Sequence, residues 1–151
     1  MRKSDIVILL HGIANAKIYM APVELLLKKE GYQTLNITYP SLKQDIESLT
    51  TWLSDRLNKK QIWEKYDRVH FVAHSMGGLV SGFYLENFKD EIAADKMGRV
   101  VMIGTPHGGS EVADFLKENP LFKWVFGPAG QQLTTTARTE QTLSQLLLAH
   151  F

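Results

Sequence analysis

The 151-residue chain contains no cysteine, which excludes disulfides, cysteine-based metal clusters and a cysteine nucleophile. It also lacks an excess of charge of one sign, because 17 lysines and arginines are balanced by 16 aspartates and glutamates for a net charge of +1. Without a basic field for a phosphate backbone, no nucleic-acid partner is expected. The hydrophobic fraction of 44% is enough to bury a core. We therefore expect a single globular domain over residues 1–151.

Long apolar runs are missing as well. The run Ile6–Leu10 stops after five residues at His11, which is too short for the apolar core of a signal peptide. No segment approaches the roughly 20 apolar residues that a membrane-spanning helix needs. We therefore expect a soluble, cytoplasmic protein without a transmembrane segment.

Apolar runs and helical periodicities alternate along the first two thirds of the chain. The patterns predict strands over residues 6–10, 33–39, 68–73 and 99–103, and helices over residues 20–29, 45–57 and 76–88. Such alternation predicts an α/β fold, a parallel twisted sheet with helices on both faces. The last third breaks the rhythm: helices are predicted over residues 110–118 and 139–150, and no clear fifth strand follows.

The predicted strand over residues 68–73 runs straight into the helix over residues 76–88, with Ser75 at the junction. Ala73 and Gly77 flank the serine at minus two and plus two, the pattern of a nucleophile elbow with alanine in the first glycine position. Small residues suit so sharp a turn because the chain on either side of the serine nearly touches. The serine itself is expected at positive φ. The alternative is that Ser75 is only the N-cap of the helix.

A serine hydrolase also needs backbone N–H groups that stabilise a developing oxyanion. His11 and Gly12 follow the first strand, and Gly12 lets the backbone come close. The N–H groups of Ile13 and Met76 are therefore the candidate oxyanion donors. Taken alone, His11 and Gly12 would be interpreted as a simple strand-ending turn.

Three stretches together resemble the α/β-hydrolase superfamily: Val-Ile-Leu-Leu-His-Gly at 7–12, Val-Ala-His-Ser-Met-Gly-Gly at 72–78 and Ile-Gly-Thr-Pro-His-Gly-Gly-Ser at 103–110. They are most similar to its bacterial lipase and esterase branch, near the triacylglycerol-lipase-like proteins. The resemblance implies that Ser75 hydrolyses a carboxylic ester of an ester or lipid-like substrate through an acyl-enzyme, without metal or cofactor. It also implies that the first two and the last two strands of the larger family are missing.

The residues expected to form the elbow and line the site are His11, Gly12, Ala73, His74, Gly77, Gly78, Thr105 and His107. His11 and His107 lie at carboxyl ends of strands, where ligands bind in open parallel sheets. His74 is expected to have a structural role before the nucleophile. His70, on the strand itself, is interpreted as a satisfied core or surface histidine.

The catalytic acid and base are not evident in the sequence. In the family, the acid and then the histidine follow later strands, but only 41 residues follow Ser110. Glu111 and Asp114 fit better as first-turn carboxylates of a helix. His150 is the only histidine in the right order, but a frayed terminal residue is the simpler interpretation. We therefore expect a domain that is C-terminally incomplete, with a diverged protein and a damaged site as the alternative.

Three functions stay open at this point. The leading hypothesis is a serine hydrolase of the lipase or esterase type. The alternatives are a catalytically incomplete fragment or non-catalytic remnant of such an enzyme, and an acyltransferase on the same fold. Since missing strands would leave one edge of the sheet uncovered, self-association through that edge is also expected.

Overall fold

The computed structural model describes residues 4–12 and 15–105, and over these residues it contains four parallel strands: β1 (Asp5–Leu10), β2 (Gln33–Ile37), β3 (Arg68–His74) and β4 (Met97–Ile103). They form one sheet in the order β2–β1–β3–β4. β1 and β3 are the inner strands of the sheet, each with a hydrogen-bonded neighbour on both sides. The predicted α/β class is confirmed, and each observed strand boundary lies within two residues of the predicted one.

Four α-helices connect the strands: α1 (Ala21–Lys29), α2 (Ile46–Lys59), α3 (Ile62–Lys65) and α4 (Met76–Asn87). Asp45 caps α2, because its carboxylate accepts a hydrogen bond of 2.8 Å from the N–H of Ser48. The single turn α3 was not predicted from the sequence. The other three helices were predicted, and their boundaries differ from prediction by at most two residues.

Alternating residues of the sheet face two separate cores. Ile6, Ile8 and Leu10 of β1 belong to the larger core, which lies under α2 and α4. Val7 and Leu9 point the other way, into a smaller core on the α1 face. This is the period of two that a pleated strand imposes. Helices therefore cover both faces of the sheet, as the sequence predicts.

β4 is paired on one side only among the described strands, and it is partly open on the α1 face. Val101 is 48% exposed and Ile103 is 43% exposed. Beside Val101, a groove of about 500 Å³ lies between Leu27 of α1 and the sheet. An apolar face of this kind is what an incompletely covered parallel sheet leaves.

His70 fills an irregularity between β3 and β4. The strand register shifts between Val69 and Phe71, and the Nδ1 of His70 accepts a hydrogen bond of 2.9 Å from the N–H of Arg99. The Nε2 of His70 lies 3.3 Å from a carboxylate oxygen of Asp5. His70 is therefore a structural histidine whose ring nitrogens both have partners, as expected.

Several expectations fall on residues 13–14 and 106–151 and so lie outside the described residues. They are the helices over 110–118 and 139–150, the C-terminal extent of the domain, and the roles of Ile13, His107 and His150. Within residues 4–12 and 15–105, no helix is both long enough and apolar enough to cross a membrane.

Candidate active site

Ser75 lies between the last residue of β3 and the first residue of α4, with φ 51° and ψ −119°. Gln61 is the only other non-glycine residue with positive φ in the described part of the chain. Such a backbone costs of order 1–3 kcal/mol and persists only where the surrounding structure enforces it. The predicted positive φ is therefore observed, and the serine is half-buried at the carboxyl end of the sheet.

The N-cap alternative for Ser75 is wrong. An N-cap residue has extended backbone, and its side-chain oxygen accepts a hydrogen bond from the first helical turn. Ser75 has positive φ and makes no such side-chain bond. Its backbone N–H instead donates to the carbonyl oxygen of Ile103 at 2.9 Å, which ties the turn to the end of β4.

Gly77 permits the close contact between α4 and the end of β1. A Cβ at residue 77 would lie 2.7 Å from the carbonyl oxygens of both Leu10 and His11. These are backbone atoms and cannot rotate away. The requirement for a small residue was predicted, but the backbone nearest to Gly77 is the end of β1 and not the chain near Ala73. Ala73 itself is fully buried and pairs with Leu10 and Met102 of the neighbouring strands.

Gly78 permits a second close contact, with Thr105 after β4. A Cβ at residue 78 would collide with the Oγ1 of Thr105 and lie 2.7 Å from its Cγ2. The hydroxyl of Thr105 donates a hydrogen bond of 3.1 Å to the carbonyl oxygen of Ser75. The elbow is thus held from β1 on one side and from the segment after β4 on the other.

His11 is buried and both of its ring nitrogens have backbone partners. Nδ1 donates to the carbonyl oxygen of Gly12 at 2.6 Å, and Nε2 accepts from the N–H of Tyr39 at 3.3 Å. The rings of His11 and Tyr39 stack with their centroids 4.3 Å apart, and the Tyr39 hydroxyl donates a hydrogen bond of 2.6 Å to the carbonyl oxygen of His11. Burial lowers the pKa of His11 and raises that of Tyr39. His11 therefore holds the loop after β1 as a neutral residue.

Tyr39 is the component of the site that the sequence analysis missed. The alternating pattern placed it at the end of the second strand, but β2 ends at Ile37. Its N–H, hydroxyl and ring all contact His11 instead of a neighbouring strand. Tyr39 and Pro40 come just after β2, at the carboxyl end of the sheet, and this position is the sequence signal that could have assigned Tyr39 to the site.

His74 lies beside the two loops that follow β1 and β4. A Cβ added to Gly12 would be 2.9 Å from the Nδ1 of His74, and one added to Gly104 would be 4.0 Å from its Nε2. Gly104 has φ 59°, a conformation that suits glycine. The ring of His74 thus lies close to both loops.

The structure brings together His11, Gly12, Ala73, His74, Ser75, Met76, Gly77, Gly78 and Thr105 at the carboxyl end of the sheet. Ile13, His107 and His150 lie outside the described residues, as do Glu111 and Asp114. In the described part of the chain, no group of three or more histidines and carboxylates could hold a metal ion.

This chain is similar to lipases and esterases in sequence and in structure. The family model for lecithin:cholesterol acyltransferase matches residues 39–115, just over half of the chain. Triacylglycerol lipase 2 of Saccharomyces cerevisiae is 29% identical over 101 residues, which are 65% of this chain and 30% of the yeast protein. The chain therefore spans less than a third of the length of this relative.

Solved structures show the same fold. The mature lipase BlEst2 of Bacillus licheniformis superimposes with a TM-score of 0.67 at 22% identity, covering 99% of this chain and 60% of that one. Phospholipase PlaB of Legionella pneumophila gives 0.68 at 15% identity, covering 97% of this chain and 35% of that one. With an α/β-hydrolase sheet and a family match that includes the elbow, the chain belongs to the lecithin:cholesterol acyltransferase family.

Proposed function

We propose that this chain carries the nucleophile of a lipase- or esterase-type serine hydrolase, and that Ser75 attacks a carboxylic ester of an ester or lipid-like substrate. The observation that carries the proposal is the positive φ of Ser75 at the junction of β3 and α4. Gln61 also has positive φ, but its ψ of 44° lies in the left-handed helical region, whereas Ser75 combines φ 51° with ψ −119°, a backbone that glycine adopts with less strain than serine. A strained serine with a reachable hydroxyl is what nucleophilic catalysis needs.

The chemistry would run in two steps. Ser75 Oγ forms a bond to the ester carbonyl carbon while its proton passes to a base, and the alcohol leaves with that proton. Water then attacks the acyl-serine, the carboxylic acid is released, and Oγ regains a proton. The oxyanion in each step would accept hydrogen bonds from the N–H groups of Met76 and Ile13, with the N-terminus of α4 adding favourable electrostatics.

None of the described histidines suits the role of the base. His11 and His70 each use both ring nitrogens for other partners. His74 directly precedes the nucleophile on the strand, and its ring lies beside the loops at Gly12 and Gly104. We therefore assign the base to no residue among 4–12 and 15–105.

A fluorophosphonate probe tests the nucleophile. We expect labelling to be confined to Ser75, to be weak because no base is assigned among the described residues, and to be lost in Ser75→Ala. Ser81→Ala is the matched control, because Ser81 is a buried serine of the same helix whose hydroxyl donates to the carbonyl oxygen of Gly78. Labelling that persists in Ser75→Ala would refute the proposal. A chain that never labels would instead support the non-catalytic alternative.

Acyl transfer is the second candidate, and the description of the matching family model favours it. An acyltransferase would use the same acyl-serine but pass the acyl group to an alcohol instead of water. Incubation of the protein with a 4-nitrophenyl ester and a long-chain alcohol separates the two functions. A new ester as the main product would indicate transfer, and free acid as the main product would indicate hydrolysis.

A further inference from the structure

The backbone carbonyl of Ser75 has two hydrogen-bond donors. The N–H of Gly78 lies 3.0 Å from the carbonyl oxygen, as expected in a first helical turn, and the hydroxyl of Thr105 lies 3.1 Å from it. Thr105 is only 5% exposed, so water competes little for this bond. The absence of a side chain at Gly78 leaves the space that Thr105 occupies. The elbow therefore places a buried hydroxyl on the peptide that follows the nucleophile.

The geometry of that peptide links Thr105 to the oxyanion. The carbonyl of Ser75 and the N–H of Met76 belong to one planar peptide unit, and in a trans unit they point in opposite directions. The described residues contain no cis peptide bond. A contact that fixes the direction of the carbonyl therefore also fixes the direction of the N–H on the other side.

We propose that Thr105 is a positioning residue, whose hydroxyl holds the Ser75–Met76 peptide plane so that the Met76 N–H points at the oxyanion. This inference rests on the proposed function, since it needs Ser75 as nucleophile. The hydrogen bond also polarises the peptide, which makes the Met76 N–H a stronger donor. Without the hydroxyl, the Gly78 N–H alone would restrain the carbonyl, and the plane could tilt.

The effect belongs to the transition state. The oxyanion develops only as Oγ attacks, so a misaligned N–H weakens binding of the transition state and leaves binding of the ester unchanged. Removal of an entire oxyanion donor costs about 100- to 1000-fold in kcat. A tilted donor should cost less, on the order of tenfold, with KM nearly unchanged.

Three variants of the full chain test the proposal with 4-nitrophenyl butyrate. Thr105→Val removes the hydroxyl and keeps the shape, and we expect kcat to fall on the order of tenfold. Thr105→Ser restores the hydroxyl and should restore kcat. Thr50→Val is the matched control, because Thr50 is a buried threonine whose hydroxyl donates to the carbonyl oxygen of Ile46 in α2, at 2.7 Å. Equal kcat in Thr105→Val and Thr50→Val would overturn the proposal.

A second measurement needs no turnover. In ¹H–¹⁵N spectra, the Met76 amide should shift in Thr105→Val, return toward its original position in Thr105→Ser, and stay unchanged in Thr50→Val. A Met76 amide that does not respond to loss of the hydroxyl would overturn the positioning role by itself. The proposed function fails separately, if Ser75→Ala still labels with the fluorophosphonate. The two failures are therefore distinguishable.

Discussion

Replacing Gly77 with alanine adds one methyl group at the tightest backbone contact of the elbow. The new Cβ would lie 2.7 Å from the carbonyl oxygens of Leu10 and His11 and 3.0 Å from the carbonyl carbon of Leu10. Real Cβ atoms essentially never approach backbone this closely, and no side-chain rotation relieves the contact. Either α4 or the end of β1 must move.

The expected sign of this change is opposite to that of an ordinary helical glycine. In a helix interior, alanine is more favourable than glycine by about 1 kcal/mol. Overpacking of a tight contact costs about 1–3 kcal/mol, and rigid backbone on both sides places Gly77→Ala in the upper part of that range. Subtracting the propensity gain of about 1 kcal/mol from an overpacking cost of about 3 kcal/mol, we expect the free energy of unfolding to fall by about 2 kcal/mol, a large share of the stability of a small domain.

Urea denaturation followed by circular dichroism gives the free energies of unfolding for Gly77→Ala and two comparison variants. Ser75→Ala should cost little, because the hydroxyl of Ser75 makes no capping bond to α4. Asn87→Ala, exposed at the end of the same helix, should change stability by less than about 0.5 kcal/mol. If Gly77→Ala is neutral or stabilising, or if Ser75→Ala is the more damaging change, the account of the elbow is wrong.

Three further predictions concern pH and association. Hydrogen bonds from Lys28, Asn36 and Thr34 lower the pKa of Glu24 from 4.5 to about 2. The contribution of Glu24 to stability is therefore complete above pH 4.5 and is lost as the pH falls toward 2. Because the carboxylate is partly solvated, urea titrations should show a loss of about 1 kcal/mol, which should be absent in Glu24→Gln. Burial lowers the pKa of His11 below 6.5, so on acidification the unfolded chain binds a proton before the folded chain does. The free energy of unfolding should therefore fall below pH 6.5, by up to about 1.4 kcal/mol per pH unit. If it falls equally steeply with pH in His11→Gln, the prediction is wrong. β2 and β4 each lack a second neighbour among the described strands, so light scattering should detect oligomers, and a concentration-independent monomer would show that both edges are protected.

Local patterns predict the sheet well because β1 and the second half of β3 are buried on both faces. A strand without a polar face must be apolar throughout, which makes its apolar run visible in the sequence. β4 begins at Met97, two residues before its predicted start. Met97 pairs with Val69 before the register shift, and the ring of His70 occupies the space where a side chain at residue 98 would lie. The N–H of Arg99 bonds to the ring of His70 and not to a backbone carbonyl of β3, and this pairing leaves no local pattern in the sequence.

The site is only partly predictable for a related reason. The elbow motif is local, so the positive φ of Ser75 follows from a strand, a serine and a helix in succession. The contacts that enforce it are not local: Gly77 packs on the end of β1, and Tyr39 contacts His11 across 28 residues of sequence. Only the folded sheet brings these residues together, which is why the role of Tyr39 was missed.

The contacts that hold Ser75 also determine when the elbow can form during folding. The strained backbone is stabilised by the end of β1, about 65 residues earlier in the chain, and by Ile103 and Thr105, about 30 residues later. Until these segments dock, the positive φ costs free energy without compensation. The elbow should therefore be absent from the folding transition state, and substitutions there should mainly accelerate unfolding. On the ribosome, a nascent chain would acquire the positive φ of Ser75 only after Thr105 has emerged.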